Sequence, residues 1–194
     1  MKIQEELFLP KGKIPSRQHI SEEEKFMNTA LEYHRCMVQP GYLAVSDRPA
    51  VLCAVCGNGV IIVLRDRVKK IGGVAYCTSL KDVRSEKPTN FHADVAIYSL
   101  VRNFLGMNSY KRDLEAQIFG GASPEGSGQK RVKKILKTCR KVFKKLDIDI
   151  VSEDVGGRVG RKVMMNTLSG EVAVLKTNRI RRADWASRVA GYQY

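Results

Sequence analysis

Between residues 50 and 77 the chain is apolar in three short runs, AVLCAVC at 50–56, VIIVL within 59–65 and IGGVAYC at 71–77. Runs of four to eight apolar residues, rich in Val and Ile and bounded by turn residues, are strands buried on both faces. A polar turn, Arg65-Asp66-Arg67 with Lys69-Lys70, separates the second run from the third, and a short strand at 43–46 precedes the first. The spacing of Val95, Ile97, Leu100, Val101 and Phe104 predicts a helix over 91–106 that Gly106 closes. A strand at 113–119, a Gly120-Gly121 turn and a long helix from Gln129 to Leu146 follow. Strands at 148–152, 160–166 and 171–176 complete the pattern, with turns at Gly156-Gly157 and Ser169-Gly170. There is no internal repeat.

Ahead of this body, residues 1–20 are polar and carry Pro10, Gly12 and Pro15, the composition of a loosely docked arm. Ser21 followed by Glu22, Glu23 and Glu24 is a capping-box start with an acidic first turn, and the helix it opens is expected to run to about Val38, before Pro40-Gly41. The chain therefore divides into an N-terminal arm and helix (1–40), a body (41–176) and a basic tail (177–194). Its 194 residues are enough to bury a sizeable core. No apolar leader opens the chain and no window reaches the roughly 20 apolar residues of a membrane span, which predicts a cytoplasmic protein.

Five cysteines, at 36, 53, 56, 77 and 139, have no framework spacing and read as reduced thiols. Cys53 and Cys56 form a C-x-x-C pair, yet a structural metal site needs a second pair, and only His34 with Cys36 lies near in sequence. The pair also sits in an apolar strand rather than at a helix N-terminus, where thioredoxin-type chemistry would place it. The residues point to two small hydrophobes in a core, with no metal and no cofactor.

The net charge of +14 has two sources. Lys130, Arg131, Lys133, Lys134, Lys137, Arg140, Lys141, Lys144 and Lys145 cover one side of the second helix with no acid among them, while Val132, Ile135, Leu136, Cys139, Val142, Phe143 and Leu146 cover the other. Lys176 at the end of the body and Arg179, Arg181, Arg182 and Arg188 of the tail, around Trp185, add to the charge. Such a one-signed field attracts an acidic surface, be it nucleic acid, anionic lipid or an acidic helix bundle. No helix-turn-helix, zinc-finger or RNP pattern accompanies it, so a basic nucleic-acid-binding protein is the weaker reading.

Several pieces of the chain together resemble a known family. Residues 52–76, LCAVCGNGVIIVLRDRVKKIGGVAY, lie in the register of an amidase segment that runs threonine, Leu-Gly-Ser-Cys, an apolar strand, an Asp, a glycine turn and a strand with a histidine. Ala44-Val45-Ser46-Asp47-Arg48-Pro49 precedes it, and Ala93-Asp94 with Ala96, Ile97 and Leu100 follows as a helix start. Leu114 to Ala122, LEAQIFGGA, Gly128, Asp154 to Val163, DVGGRVGRKV, and Thr167 to Val172, TLSGEV, complete the order. This arrangement resembles CheD, the bacterial chemoreceptor glutamine deamidase family, from about Gly41 to Lys176. The resemblance implies an α+β fold, a CheD-like sandwich of mixed β-sheets with flanking helices, related in architecture to the catalytic domain of cytotoxic necrotizing factor.

The same register implies that the family's reagents are missing. Cys53 stands for the threonine, Gly59 for the nucleophilic cysteine and Tyr76 for the histidine. Deamidation of a glutamine needs a thiolate to attack the amide carbon and a base to take the thiol proton and return one to ammonia. Glycine has nothing to attack with, and a phenol of reference pKa about 10 is a poor base. The implied function is a non-catalytic binding module for a chemoreceptor cytoplasmic domain or a CheC-type phosphatase, with an acidic protein surface, such as the negatively charged receptor coiled coil, as the partner the basic charge suits. Gly57, Asn58, Gly59, Gly120, Gly121 and Ala122 would form its floor. The alternative is a rearranged deamidase using Cys53 or Cys56 with His92, since the family commonly has a tyrosine at the place of His92. Cys53 inherits the pocket-facing direction of the threonine, and Cys56 would share it only after a bulge or the end of the strand.

Overall fold

The computed structural model of the chain describes residues 34–78, 89–123, 128–180 and 184. The arm at 1–20, the helix start at Ser21 and the tail residues Arg181, Arg182, Trp185 and Arg188 lie outside the described residues. Within them the order is β1 (His34–Met37), β2 (Leu43–Ser46), β3 (Ala50–Cys56), β4 (Val60–Asp66), β5 (Ile71–Cys77), α1 (Ala93–Gly106), β6 (Leu114–Gly120), α2 (Gln129–Leu146), β7 (Asp149–Val155), β8 (Gly160–Asn166) and β9 (Val172–Thr177).

Two mixed sheets form. One has the order β1-β3-β8-β9 and the other β2-β5-β4-β6-β7. Alternation along each strand decides what the faces touch. Ala50, Leu52, Ala54 and Cys56 of β3, with Val163 and Met165 of β8, meet Ile61, Val63, Val74, Tyr76 and Phe119 of the five-stranded sheet. The other face of that sheet, through Val60, Ile62, Leu64, Ala75, Cys77, Ala116 and Ile118, packs on α1 and α2. The five-stranded sheet is thus the middle of three layers, which is why β4 and β5 carry apolar residues on both faces. Each of these fully buried aliphatic side chains contributes about 1.5–3 kcal/mol relative to exposure. The result is the α+β sandwich of mixed sheets with flanking helices expected from the sequence.

The helices follow their periodicity. Ala93, Ala96, Ile97, Leu100, Val101 and Phe104 of α1 are buried, as are Val132, Ile135, Leu136, Cys139, Val142 and Phe143 of α2. Asp147, in the left-handed region at φ 58°, caps the end of α2, a conformation that Asp tolerates better than most residues. Gly106 is the last residue of α1 rather than its stop, since the N–H of Met107 still reaches Asn103 O at 3.1 Å.

One expectation is corrected. Residues 34–37 are not the end of a helix reaching Val38; they form β1, parallel to β3 with His34 opposite Ala50 and Met37 opposite Cys53. Cys36 turns toward the intersheet core, whereas Met37 joins Val51, Cys53 and Met164 on the outer face of the four-stranded sheet. A segment of only four residues fits either period, and the open edge of β3, which needs partners for its N–H and C=O groups, selects the strand. No helix among the described residues is long and apolar enough to cross a membrane.

Candidate functional site

The turn after β3 and the turn after β6 are neighbours. Gly121 N–H donates to Gly59 O at 2.7 Å, Ala122 N–H donates to Gly57 O at 2.9 Å, and Gly120 lies opposite Val60 in the ladder. The two tripeptides singled out in the sequence, Gly57-Asn58-Gly59 and Gly120-Gly121-Ala122, are therefore one hydrogen-bonded strip. Asn58 is exposed and Gly57 half-buried, while Gly59, Gly120, Gly121 and Ala122 are buried. α2 closes one side of the strip, because a β-carbon at Gly121 would stand 2.7 Å from Val132 Cγ1.

Tyr76 lies directly over Gly59. A β-carbon added at Gly59 would collide with Cε2 of the Tyr76 ring and stand 3.0 Å from its Oη and 3.1 Å from Thr78 Cγ2. Glycine at 59 and tyrosine at 76 thus fit as a pair, the ring taking the volume that any side chain at 59 would need. Burial raises the Tyr76 hydroxyl above its usual range, with the nearby Cys56 and Cys77 thiols adding to the effect.

The two cysteines of the C-x-x-C pair lie on opposite faces of β3. Cys56 points into the intersheet core beside Tyr76, where a β-carbon at Gly120 would come within 2.6 Å of its Sγ. Burial pushes its thiol up to about 12 despite the opposing pull of Arg161. Cys53 faces outward among Val51, Met37 and Met164, away from Tyr76, contrary to the pocket-facing direction inferred for it. Its thiol is also raised by burial, and Arg35 Nη2, which donates to Cys53 Sγ at 3.8 Å, acts the other way. That cation arrives from β1 and is invisible in the sequence around Cys53. The pair cannot chelate one ion from two faces of a strand.

His92 occupies the N-cap position of α1 but makes no side-chain cap bond, and it is buried at 7% exposure. Its Nδ1 instead lies 3.1 Å from Thr89 O and accepts from Thr89 N–H at 3.4 Å. The start of α1 is tied to the end of β5, since Thr78 N–H donates to Phe91 O at 3.0 Å.

Arg161 is the residue whose role sequence reading missed. It sits opposite Cys56 in the β3–β8 ladder and is nearly fully buried. Its Nη1 donates to Gly156 O at 2.8 Å and Val159 O at 2.9 Å, and its Nη2 donates to Asp154 Oδ1 at 2.9 Å. Gly156 N–H in turn donates to Gly120 O at 2.8 Å, so the guanidinium braces the glycine strip from below. The Asp154-x-Gly-Gly-x-x-Gly-Arg161 spacing was the available signal.

Gly120 is the tightest point of the strip. Its φ is +105°, and a β-carbon there would stand 2.5 Å from Gly59 O as well as against Cys56 Sγ. Gly120→Ala is expected to cost about 2–4 kcal/mol, combining backbone strain with overpacking. Chemical denaturation of the two proteins measures it, and a cost below about 0.5 kcal/mol would show that the strip is not rigid.

Comparison with known proteins gives a consistent result. The family model described as CheD chemotactic sensory transduction matches residues 78–176, beginning two positions after Tyr76. A probable chemoreceptor glutamine deamidase CheD of Methanococcus maripaludis strain C5 is 30% identical over 148 residues, covering 74% of this chain and 96% of that protein. The corresponding protein of M. maripaludis strain S2 is 33% identical over 141 residues, 71% of this chain and 92% of its own length. The chemoreceptor glutamine deamidase CheD of Thermotoga maritima is 33% identical over 140 residues, covering 70% and 88% of the two chains. With a family model spanning half the chain and relatives matched along nearly their whole length, the chain belongs to the CheD family.

Proposed function

We propose that this chain is a binding member of its family, which engages the cytoplasmic helices of a chemoreceptor without deamidating their glutamines. The observation that supports the reading is the Tyr76 ring packed over Gly59, one filled contact at the two positions where the family resemblance would put the nucleophile and the base. Catalysis by a nucleophile and base acting as a unit is lost almost completely when either is removed. What stays is a surface: Asn58 and Gly57 on the strip, with Tyr42 66% and Phe91 43% exposed beside it. Tyr42 O accepts the Tyr76 N–H at 3.0 Å, which holds this aromatic rim at the edge of the site. Aromatic residues of this kind anchor protein–protein contacts.

α2 meets the strip through Val132 and Leu136 of its buried face, and the cations on its exposed face suit an acidic helical partner. Lys130, Arg131, Lys133, Lys134, Lys137, Lys141, Lys144 and Lys145 are all exposed, and among the described residues only Arg140 of this helix has a salt bridge, to Glu153. Seven of the nine cations are lysines, point charges without the bidentate fork that reads bases, which favours an acidic protein over specific nucleic-acid recognition.

The test is to incubate purified receptor cytoplasmic fragment with the protein and measure both binding and mass. Binding that weakens with salt is expected, with no glutamine converted to glutamate. Conversion that disappears in Cys53→Ala or Cys56→Ala would replace this reading with a rearranged amidase. Binding to a CheC-type phosphatase and not to receptor would keep the binding role and change the partner.

A further inference from the structure

The residues after β9 fold back onto the sheet. Thr177 Oγ1 donates to Arg179 O at 2.8 Å and accepts from Arg179 N–H at 3.2 Å, a side-chain turn that redirects the chain as it leaves the strand. Ile180 then lies against two glycines. A β-carbon at Gly57 would stand 3.6 Å from Ile180 Cδ1, and one at Gly160 would stand 2.7 Å from the same atom and 3.0 Å from Cys56 O. Further on, Asp184 Oδ1 accepts from Lys162 Nζ at 2.6 Å, with the two side chains only 16% and 30% exposed. An aliphatic side chain thus sits in a notch floored by glycine backbone, and a carboxylate four positions later sits on a lysine.

The spacing of the notch and the lysine has a chemical meaning. Gly160 and Lys162 are two residues apart on β8 and present to the same face, about 6.8 Å apart. Residues four apart on an α-helix are separated by about 6 Å along its axis and share a face. A helix carrying Leu, Ile or Val followed four positions later by Asp or Glu would therefore match both subsites at once. Gly57 is the first residue of the strip to which the binding role is attributed above, so any segment laid along that strip meets Ile180.

We infer that Gly57, Gly160 and Lys162 form a docking site for an aliphatic side chain and a carboxylate on one segment, and that the chain's own Ile180 and Asp184 occupy it. A partner helix with an aliphatic–acidic pair at that spacing competes with them. The identity of the partner rests on the binding reading; the occupancy rests on the contacts of Ile180 and Asp184 alone.

The experiment uses the full chain carrying Ile180→Ser with Asp184→Asn, and as probe a fluorescent peptide of the chain's own residues 176–188 added in trans. The peptide is expected to bind this variant at least about tenfold more tightly than the wild type, whose site is filled, and Lys162→Ala in the variant background should abolish the difference. In parallel, Gly57→Cys, whose side chain has ordinary space beneath Ile180, should be alkylated about tenfold faster once Ile180→Ser is added. Equal peptide affinity for variant and wild type, binding insensitive to Lys162→Ala, or equal alkylation rates would overturn the site. Receptor fragment is measured separately with the same two proteins. Failure of that fragment to bind either one counts against the binding reading, and failure of the peptide arm counts against the docking site.

Discussion

Gly59→Cys alone is expected to lower stability by about 1–3 kcal/mol and to add no amidase activity, because the Tyr76 ring already fills the space that the new side chain needs. The backbone conformation at Gly59 is not the obstacle, since its φ lies outside the left-handed region and the three atoms nearest to a β-carbon there belong to the side chains of Tyr76 and Thr78. Adding Tyr76→His removes the ring and supplies an imidazole of reference pKa about 6.5 in place of a phenol. The double variant is expected to recover part of the lost stability. The thiol introduced at position 59 should then react with iodoacetamide near neutral pH about 100-fold faster than the thiol of the single variant, the factor that a general base typically supplies. Urea unfolding and mass-resolved alkylation measure the two effects. A single variant as stable as wild type, with a freely reactive new thiol, would show that Tyr76 is not what keeps position 59 small.

Asp154→Ala is expected to cost about 3 kcal/mol at neutral pH, because it leaves the nearly fully buried Arg161 guanidinium without its carboxylate. Lys176, which reaches the same Asp154 oxygen at 3.4 Å but is largely exposed, contributes little, and Lys176→Ala should change stability by less than about 0.5 kcal/mol. The hydrogen bond from Arg161 holds the Asp154 carboxyl below its ordinary range, with burial opposing and Lys176 assisting. A depressed folded-state pKa means that this stabilisation is complete above the unfolded value of about 3.9 and is lost as pH falls through the lower folded value. The difference between wild type and Asp154→Ala should accordingly be largest near neutrality and shrink below about pH 4. A difference that stays constant down to about pH 2 would mean that the side chain acts through packing and not through charge.

Much of the molecule is legible in one dimension. The apolar runs at 50–56 and 71–77, the alternating run at 160–166 and the 3.6-residue repeat at 129–146 end where β3, β5, β8 and α2 end, because strand and helix periods are properties of the local chain. The family could also be read from residues in order, since motifs such as Gly120-Gly121-Ala122 record turns whose backbone demands are local. That Cys53 and Cys56 face opposite ways follows from their spacing alone, but which of them faces Tyr76 does not.

The remaining features depend on partners distant in sequence. β1 is a strand because the edge of β3 needs one, and no property of His34 to Met37 by itself says so. Cys56 looks inward and Cys53 outward because the four-stranded sheet lays one face on its neighbour, a choice made by layer packing. The cation beside Cys53 comes from 18 residues away, and the brace under Gly120 is Arg161 of β8, acting through Gly156 of the β7–β8 turn. Gly59 and Tyr76, read singly, are two unrelated positions; only the antiparallel pairing of β4 with β5, which sets Val60 opposite Cys77, lays one over the other and makes them a single packed contact. Local periodicity therefore determined most of the elements and the ordered motifs carried the family resemblance, while sheet order and register, which bring together groups that no local pattern links, decided what the site contains.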